Sequence, residues 1–226
     1  MIMKKLIFVL LALCLVLAGC SGETPAVTEA TQPVTDAAVP ETEAPTEAPV
    51  TVSPMPQGID LNQLEDCTLA VSLEEGDVYE DDSGVLQMKA TVYTYDLYDM
   101  VDIAALSHGD ILVFRCEEVK IDDLQHLDDG SLLINGSLTL RTDGDGCYYG
   151  VLENDHPAYY ALGEATIRVS PDFIYTDSSD PSEEKTIYPG DFLVPGMEID
   201  YDFTPYNTTI RIENGKVIEM HRIYIP

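Results

Sequence analysis

Tryptophan is absent from the 226 residues, lysine and arginine together number 11 against 41 aspartates and glutamates, and no apolar run is longer than the 13 residues from Leu6 to Ala18. As a helix that run would reach only about 20 Å, short of the roughly 30 Å hydrocarbon core of a bilayer. The formal charge of −30 sets the chain against phosphate backbones and anionic lipid surfaces, so nucleic acid is not an expected partner. Without tryptophan, a flat carbohydrate platform must be built from tyrosine. The chain also has no HExxH, GxSxG, P-loop, GxGxxG or CxxC pattern, and His108, His126, His156 and His221 fall in separate segments. No catalytic constellation emerges, and the reading leans away from an enzyme.

The first twenty residues are the most informative. Lys4 and Lys5 precede the apolar run, and Leu17-Ala18-Gly19-Cys20 closes it with small residues before a cysteine. This arrangement resembles the signal peptide and lipobox of bacterial lipoproteins. The resemblance implies cleavage after Gly19, a diacylglycerol thioether on Cys20, and residence on the extracytoplasmic face of the cell membrane through a lipid anchor. Two or more acyl chains hold a protein stably where one alone is marginal.

From Ser21 to Gln57 the composition turns to Thr, Glu, Ala and Pro, with no aromatic and no basic residue, and with the tandem copies Thr42-Glu-Ala-Pro45 and Thr46-Glu-Ala-Pro49. Such a segment buries too little apolar surface to offset its chain entropy, and its prolines favour extended polyproline geometry over helix. Residues 20–57 are therefore expected to form a lipidated, disordered linker. It would span about 115 Å fully extended and roughly 35 Å as a coil.

Residues 58–226 carry 35 of the acids and nine of the bases, a formal charge of −26, together with all 13 tyrosines. Their length suffices for one domain with its own core. Period-two alternation recurs between turn signals, most clearly at Leu86, Met88, Ala90 and Val92 against Gln87, Lys89, Thr91 and Tyr93. Further strands are expected at 132–135, 137–141, 147–152, 159–162, 165–169, 197–203, 208–213 and 216–225. Asn214-Gly215 should join the last two in a type I′ hairpin. A short helix is expected over Met100–Leu106, with Asp102 suited to its N-terminal turn and Gly109 ending it. The fold class is all-β: a single antiparallel β-barrel or β-sandwich with at most one short helix.

Three cysteines remain in this domain, enough for one internal disulfide at most. Cys67 and Cys116 share parity with apolar strand positions, so buried thiols are expected in preference to a bridge between them. Asp143-Gly-Asp145-Gly146 opens like a calcium loop, but Cys147, Tyr148 and Asn154 occupy later ligand and glycine positions, and a tight turn is the better reading. Glu198, Asp200 and Asp202 fall at alternate positions and would share a strand face, where Arg211 is their expected partner. They are also the candidate ligands for a weakly held divalent cation such as calcium; no other cofactor is implied. Gly109-Asp-Ile-Leu-Val and Gly190-Asp-Phe-Leu-Val repeat one pattern, most simply by coincidence.

Tyr93 and Tyr95, Tyr148 and Tyr149, and Tyr159 and Tyr160 are the candidate ligand contacts, since tyrosine offers flat apolar area with a hydrogen-bonding tip. The functional expectation is a binding or interaction module for a glycan, peptide or envelope protein. A cell-envelope or glycan hydrolase using paired carboxylates and a structural envelope assembly factor are the alternatives. Replacing Cys20 by alanine should abolish incorporation of a labelled fatty acid and move the protein out of the membrane fraction.

Overall fold

The computed structural model describes residues 48–152, 155–194 and 199–225. The signal, Cys20 with Leu17, Ala18 and Gly19, and most of the linker lie outside them. The described chain is mostly β. In order it forms β1 (Thr51–Val52), β2 (Cys67–Ser72), β3 (Val78–Glu80), β4 (Leu86–Thr94) and β5 (Leu97–Asp99), then one short helix, α1 (Met100–Ala104). There follow β6 (Ile111–Phe114), β7 (Glu117–Lys120), β8 (Leu124–His126), β9 (Leu132–Ile134), β10 (Leu138–Thr142) and β11 (Cys147–Val151). The remainder is β12 (Tyr160–Asp180), β13 (Glu183–Ile187), a 3-10 turn at Pro189–Leu193, β14 (Thr208–Glu213) and β15 (Lys216–Ile223). Among the described residues no helix is long and apolar enough to cross a membrane.

A closed barrel is the larger of two lobes. β2 pairs with β4, β4 with the first half of β12, β12 with β15, β15 with β14, and β14 returns to β2. Five strands thus form a ring with no free edge between them, a Greek-key connectivity of the OB type. The 21-residue β12 makes closure possible, because its two halves serve different neighbours. Val71, Met88, Val92, Phe173, Tyr175, Ile210, Ile212, Val217 and Met220 fill the interior and are almost fully buried. Outward positions of β4 stay wet, and Lys89 meets Glu164 of β12 at 2.8 Å.

Apart from β1, which precedes the barrel strands, the smaller lobe is inserted between β4 and β12. Its sheets, β1-β6-β7 and β5-β11-β10-β9-β8, enclose a second core of Tyr98, Ile103, Leu112, Ile121, Ile134 and Leu140. Phe114 lies directly against Gly150, where a methyl group would run into its ring. The carboxylate of Asp99 accepts a bond from the Val101 N–H at 2.7 Å and starts α1. Asp96 joins the lobes. Only 3 % exposed, it lies two residues beyond the end of β4 and accepts hydrogen bonds from the Tyr160 hydroxyl at 2.9 Å and the Arg115 N–H at 2.5 Å; the Tyr98 hydroxyl, 3.4 Å away, donates to the Val113 carbonyl at 2.8 Å.

Several expectations are corrected here. The barrel is not wholly antiparallel, since β12 and β15 run parallel, as do β1 and β6; alternation reports which face is wet, not strand direction. There are two cores rather than one. Thr51–Val52, inside the segment read as linker, forms β1, with Val52 buried. The two strands expected at 159–162 and 165–169 are one, continued to Asp180. Helix α1 is capped by Asp99 and carries Asp102 in its first turn as expected, but it ends at Ala104 rather than Leu106. The two Gly-Asp-apolar-Leu-Val copies differ, one entering β6 and the other forming the 3-10 turn. The Asn214-Gly215 hairpin stands as expected, with φ of 51° and 69°.

Replacing Asp96 by alanine should cost about 2 to 4 kcal/mol and lower Tm by roughly 10 °C, because the Tyr160 hydroxyl and the Arg115 N–H lose their acceptor, while the Tyr98 hydroxyl keeps the Val113 carbonyl at 2.8 Å. Tyr160→Phe removes one donor and should cost about 1 kcal/mol, or roughly 2 to 4 °C in thermal unfolding.

Candidate functional site

Of the six tyrosines singled out by sequence, the structure brings three together. Tyr95 leaves the end of β4, Tyr149 sits on β11 and Tyr159 immediately precedes β12. Tyr95 packs edge-on against Tyr149 at 5.9 Å between ring centroids and against Tyr159 at 5.3 Å. The row then continues through residues outside that set: Tyr159 meets Tyr206 at 5.5 Å, and Tyr206 meets His156 at 5.3 Å. All five side chains are half-buried. Edge-to-face pairs set the positive rim of one ring on the negative face of the next, which fixes the row while leaving part of each ring exposed.

Burial first, then the neighbouring Asp143 and Tyr149, raise the Tyr95 phenol above its ordinary value. Tyr159 is raised by burial and by Tyr95 and Tyr206. Tyr95 and Tyr159 are therefore neutral hydroxyls at physiological pH, able to donate and accept hydrogen bonds but not to act as phenolate bases.

The other three tyrosines go elsewhere. Tyr93 turns to Ser72, with the hydroxyls 3.2 Å apart. Tyr148 packs against the second core, and its hydroxyl donates to the Gly130 carbonyl at 3.4 Å. Tyr160 donates to Asp96, and burial together with that bond pushes its phenol up to about 12. Successive residues of a strand face opposite ways, which divides Tyr148 from Tyr149 on β11, whereas Tyr93 lies within β4 and Tyr95 beyond its end. Tyr206 and His156 carry no periodic signal; both sit in turns beside prolines, Pro205 and Pro157.

The acidic series is rearranged. Glu198 lies outside the described residues, and residues 199–207 form no strand. Asp200 and Asp202 do not answer to Arg211, which pairs with Glu219 at 2.8 Å and with Glu213. Instead Arg222, 4 % exposed, reaches out of the barrel to the Asp200 carboxylate at 2.8 Å and the Asp200 carbonyl at 2.9 Å. Its guanidinium also lies 5.5 Å from the centre of the Phe203 ring. Asn207 completes the fastening: its side chain donates to the Asp202 carbonyl and accepts from the Thr204 N–H, each at 2.8 Å. This holds Tyr206 at the end of the row.

Asp143 accepts the N–H groups of Asp145 and Cys147 at 2.8 and 3.0 Å, an Asx turn in place of a calcium loop. Those bonds, led by that of Cys147, lower its carboxyl. Among the described residues no three His, Cys, Asp or Glu side chains gather as a metal site. The thiols of Cys67, Cys116 and Cys147 are free. Cys116 is exposed rather than buried, because β6 ends at Phe114 and Arg115-Cys116 form the turn, with φ of 51° and 66°.

The Arg222 hydrogen bond is the leading cause that holds the Asp200 carboxyl below its usual value. A depressed carboxyl contributes stability that is fully present above the unfolded pKa and is lost as pH falls through the folded one. Thermal unfolding followed from pH 6 down to pH 2 should therefore fall below about pH 4, and Asp200→Asn should flatten part of that fall.

Compared with known proteins, the chain matches no family model, and no curated sequence or solved structure matches it significantly.

Proposed function

We propose that this chain is an extracytoplasmic lipoprotein whose β-domain is a non-enzymatic binding module. Its ligand contacts the row formed by Tyr149, Tyr95, Tyr159, Tyr206 and His156. The observation that carries the reading is that row: five aromatic side chains from four segments of the chain converge on one half-buried strip. Its half-buried rings, four of them carrying hydroxyl tips, suit ligands with apolar faces and polar edges. Glycan strands and peptides have that character. The acidic surroundings, with Asp143 beside Tyr95, favour neutral or cationic ligands over anionic ones.

The anchor follows from the lipobox resemblance at Leu17-Ala18-Gly19-Cys20, which would put the domain outside the membrane on its proline-rich linker. An envelope hydrolase is the second reading, kept because the domain surface carries so many carboxylates; no pair of them is assigned a catalytic role. Envelope assembly is a third, and it would use the same face toward a protein partner.

Because the chain lacks tryptophan, its emission comes from its 13 tyrosines, four of which lie in the row. Titration with neutral glycans and with neutral and basic peptides should change that emission saturably. Tyr159→Ala or Tyr206→Ala should weaken binding about tenfold, roughly 1.4 kcal/mol. Cleavage of the ligand, or binding indifferent to both substitutions, would overturn the reading.

A further inference from the structure

The domain has nine basic residues, and six of them, Lys89, Lys120, Arg141, Lys185, Arg211 and Arg222, have a carboxylate within ion-pair distance. Among the described residues Arg115, Arg168 and Lys216 have none. In a domain with 35 acids, cations left unanswered call for a physical account. Arg168 and Lys216 are register partners across the parallel β12–β15 pair, both are exposed, and both line one groove of about 460 Å³. Like charges set opposite each other on neighbouring strands repel, and an anion seated between them relieves that repulsion.

The rest of the groove limits which anion. It opens where β12 slips register between Val169 and Ile174, and the β3–β4 turn and the 3-10 turn form its walls. Leu86, Val169 and Leu193 give it an apolar lining, and Leu193 is 39 % exposed, with Val194 beyond it at 51 %. The volume lies within the range of small-molecule sites, roughly 300 to 1,000 Å³. Glu80, on one wall, and the net charge of the domain oppose a polyanion, since each added negative charge meets the same field. A single negative charge meets it once, and an apolar body gains from the lining.

We infer that this groove binds a small monocarboxylate with an apolar body, its carboxylate held between Arg168 and Lys216 and its body against Leu86, Val169 and Leu193. The site is separate from the tyrosine row. Leu86 and Thr94 are the two ends of the nine-residue β4, about 26 Å apart at 3.3 Å per residue. The groove thus lies at the far end of the barrel from the second lobe and from β1, where the chain enters.

The test uses the full chain in detergent and two probes in acid and amide form: octanoate with octanamide, and acetyl-Ala-Val-Leu with its C-terminal amide. Calorimetric titration should show at least one of the acids binding and its amide at least tenfold weaker. Octanoate alone would identify an aliphatic acid as the ligand source, and the tripeptide alone a peptide terminus. Arg168→Gln combined with Lys216→Gln should weaken binding by about tenfold or more. Glu80→Gln should tighten it several-fold, and Tyr159→Ala should leave it unchanged. Neither acid binding, acid and amide binding alike, or a double variant that binds as the parent does would overturn the inference.

Discussion

A carboxylate in a nearly dry position, with two hydrogen-bond donors converging on it, couples the lobes through Asp96. The donors come from separate places: Tyr160 opens β12, and Arg115 turns between β6 and β7. A buried carboxylate is unfavourable unless its lone pairs are satisfied, so the approach of both segments is specified by one residue. The aromatic row depends on the same junction. Tyr95 is the residue before Asp96, and Tyr159 the residue before Tyr160. Fixing Asp96 against Tyr160 sets the two rings at their edge-on separation of 5.3 Å.

Electrostatics imposes the second constraint. So acidic a domain gains little from scattered surface ion pairs, each worth about 0 to 1 kcal/mol, and most of its basic residues are used one by one along the strands. The exception is Arg222, sunk in the barrel wall and committed to Asp200 and Phe203. Through it the irregular segment before β14 is fastened to the barrel, and Tyr206 is carried to the row. A buried guanidinium, by its fork of donors, does here what a strand pairing would have done.

The sequence made the strands legible wherever one face was dry and the other wet. Leu86 to Thr94 reads directly in the burial of β4, and Asn214-Gly215 states its own turn, because few residue pairs accept two positive φ angles. Strand direction was not legible: β12 and β15 alternate as antiparallel neighbours would, and only the intervening chain makes them parallel. The role of Asp200 was lost for the opposite reason. Alternating Glu198, Asp200 and Asp202 imitate a strand face, whereas an arginine 22 residues further on holds the segment in an irregular form. Half of the site was readable, since strand tyrosines announce themselves. Tyr206 and His156 arrive from turns, where no periodicity marks them.

β1 has a mechanical meaning. It is two residues long, runs beside β6, and is continued outward by Val50, whose N–H donates to the buried Asp110 at 2.8 Å and whose carbonyl accepts from Ile111 at 2.9 Å. Asp110 in turn accepts from the N–H and hydroxyl of Ser107, each at 2.8 Å. Any tension that enters the domain along the chain from its N-terminal side is borne first by this small clasp, before any barrel strand is loaded. A pull on the chain ahead of Val50 would strip β1 from β6 and draw Val52 out of the second core, while the barrel core stays closed.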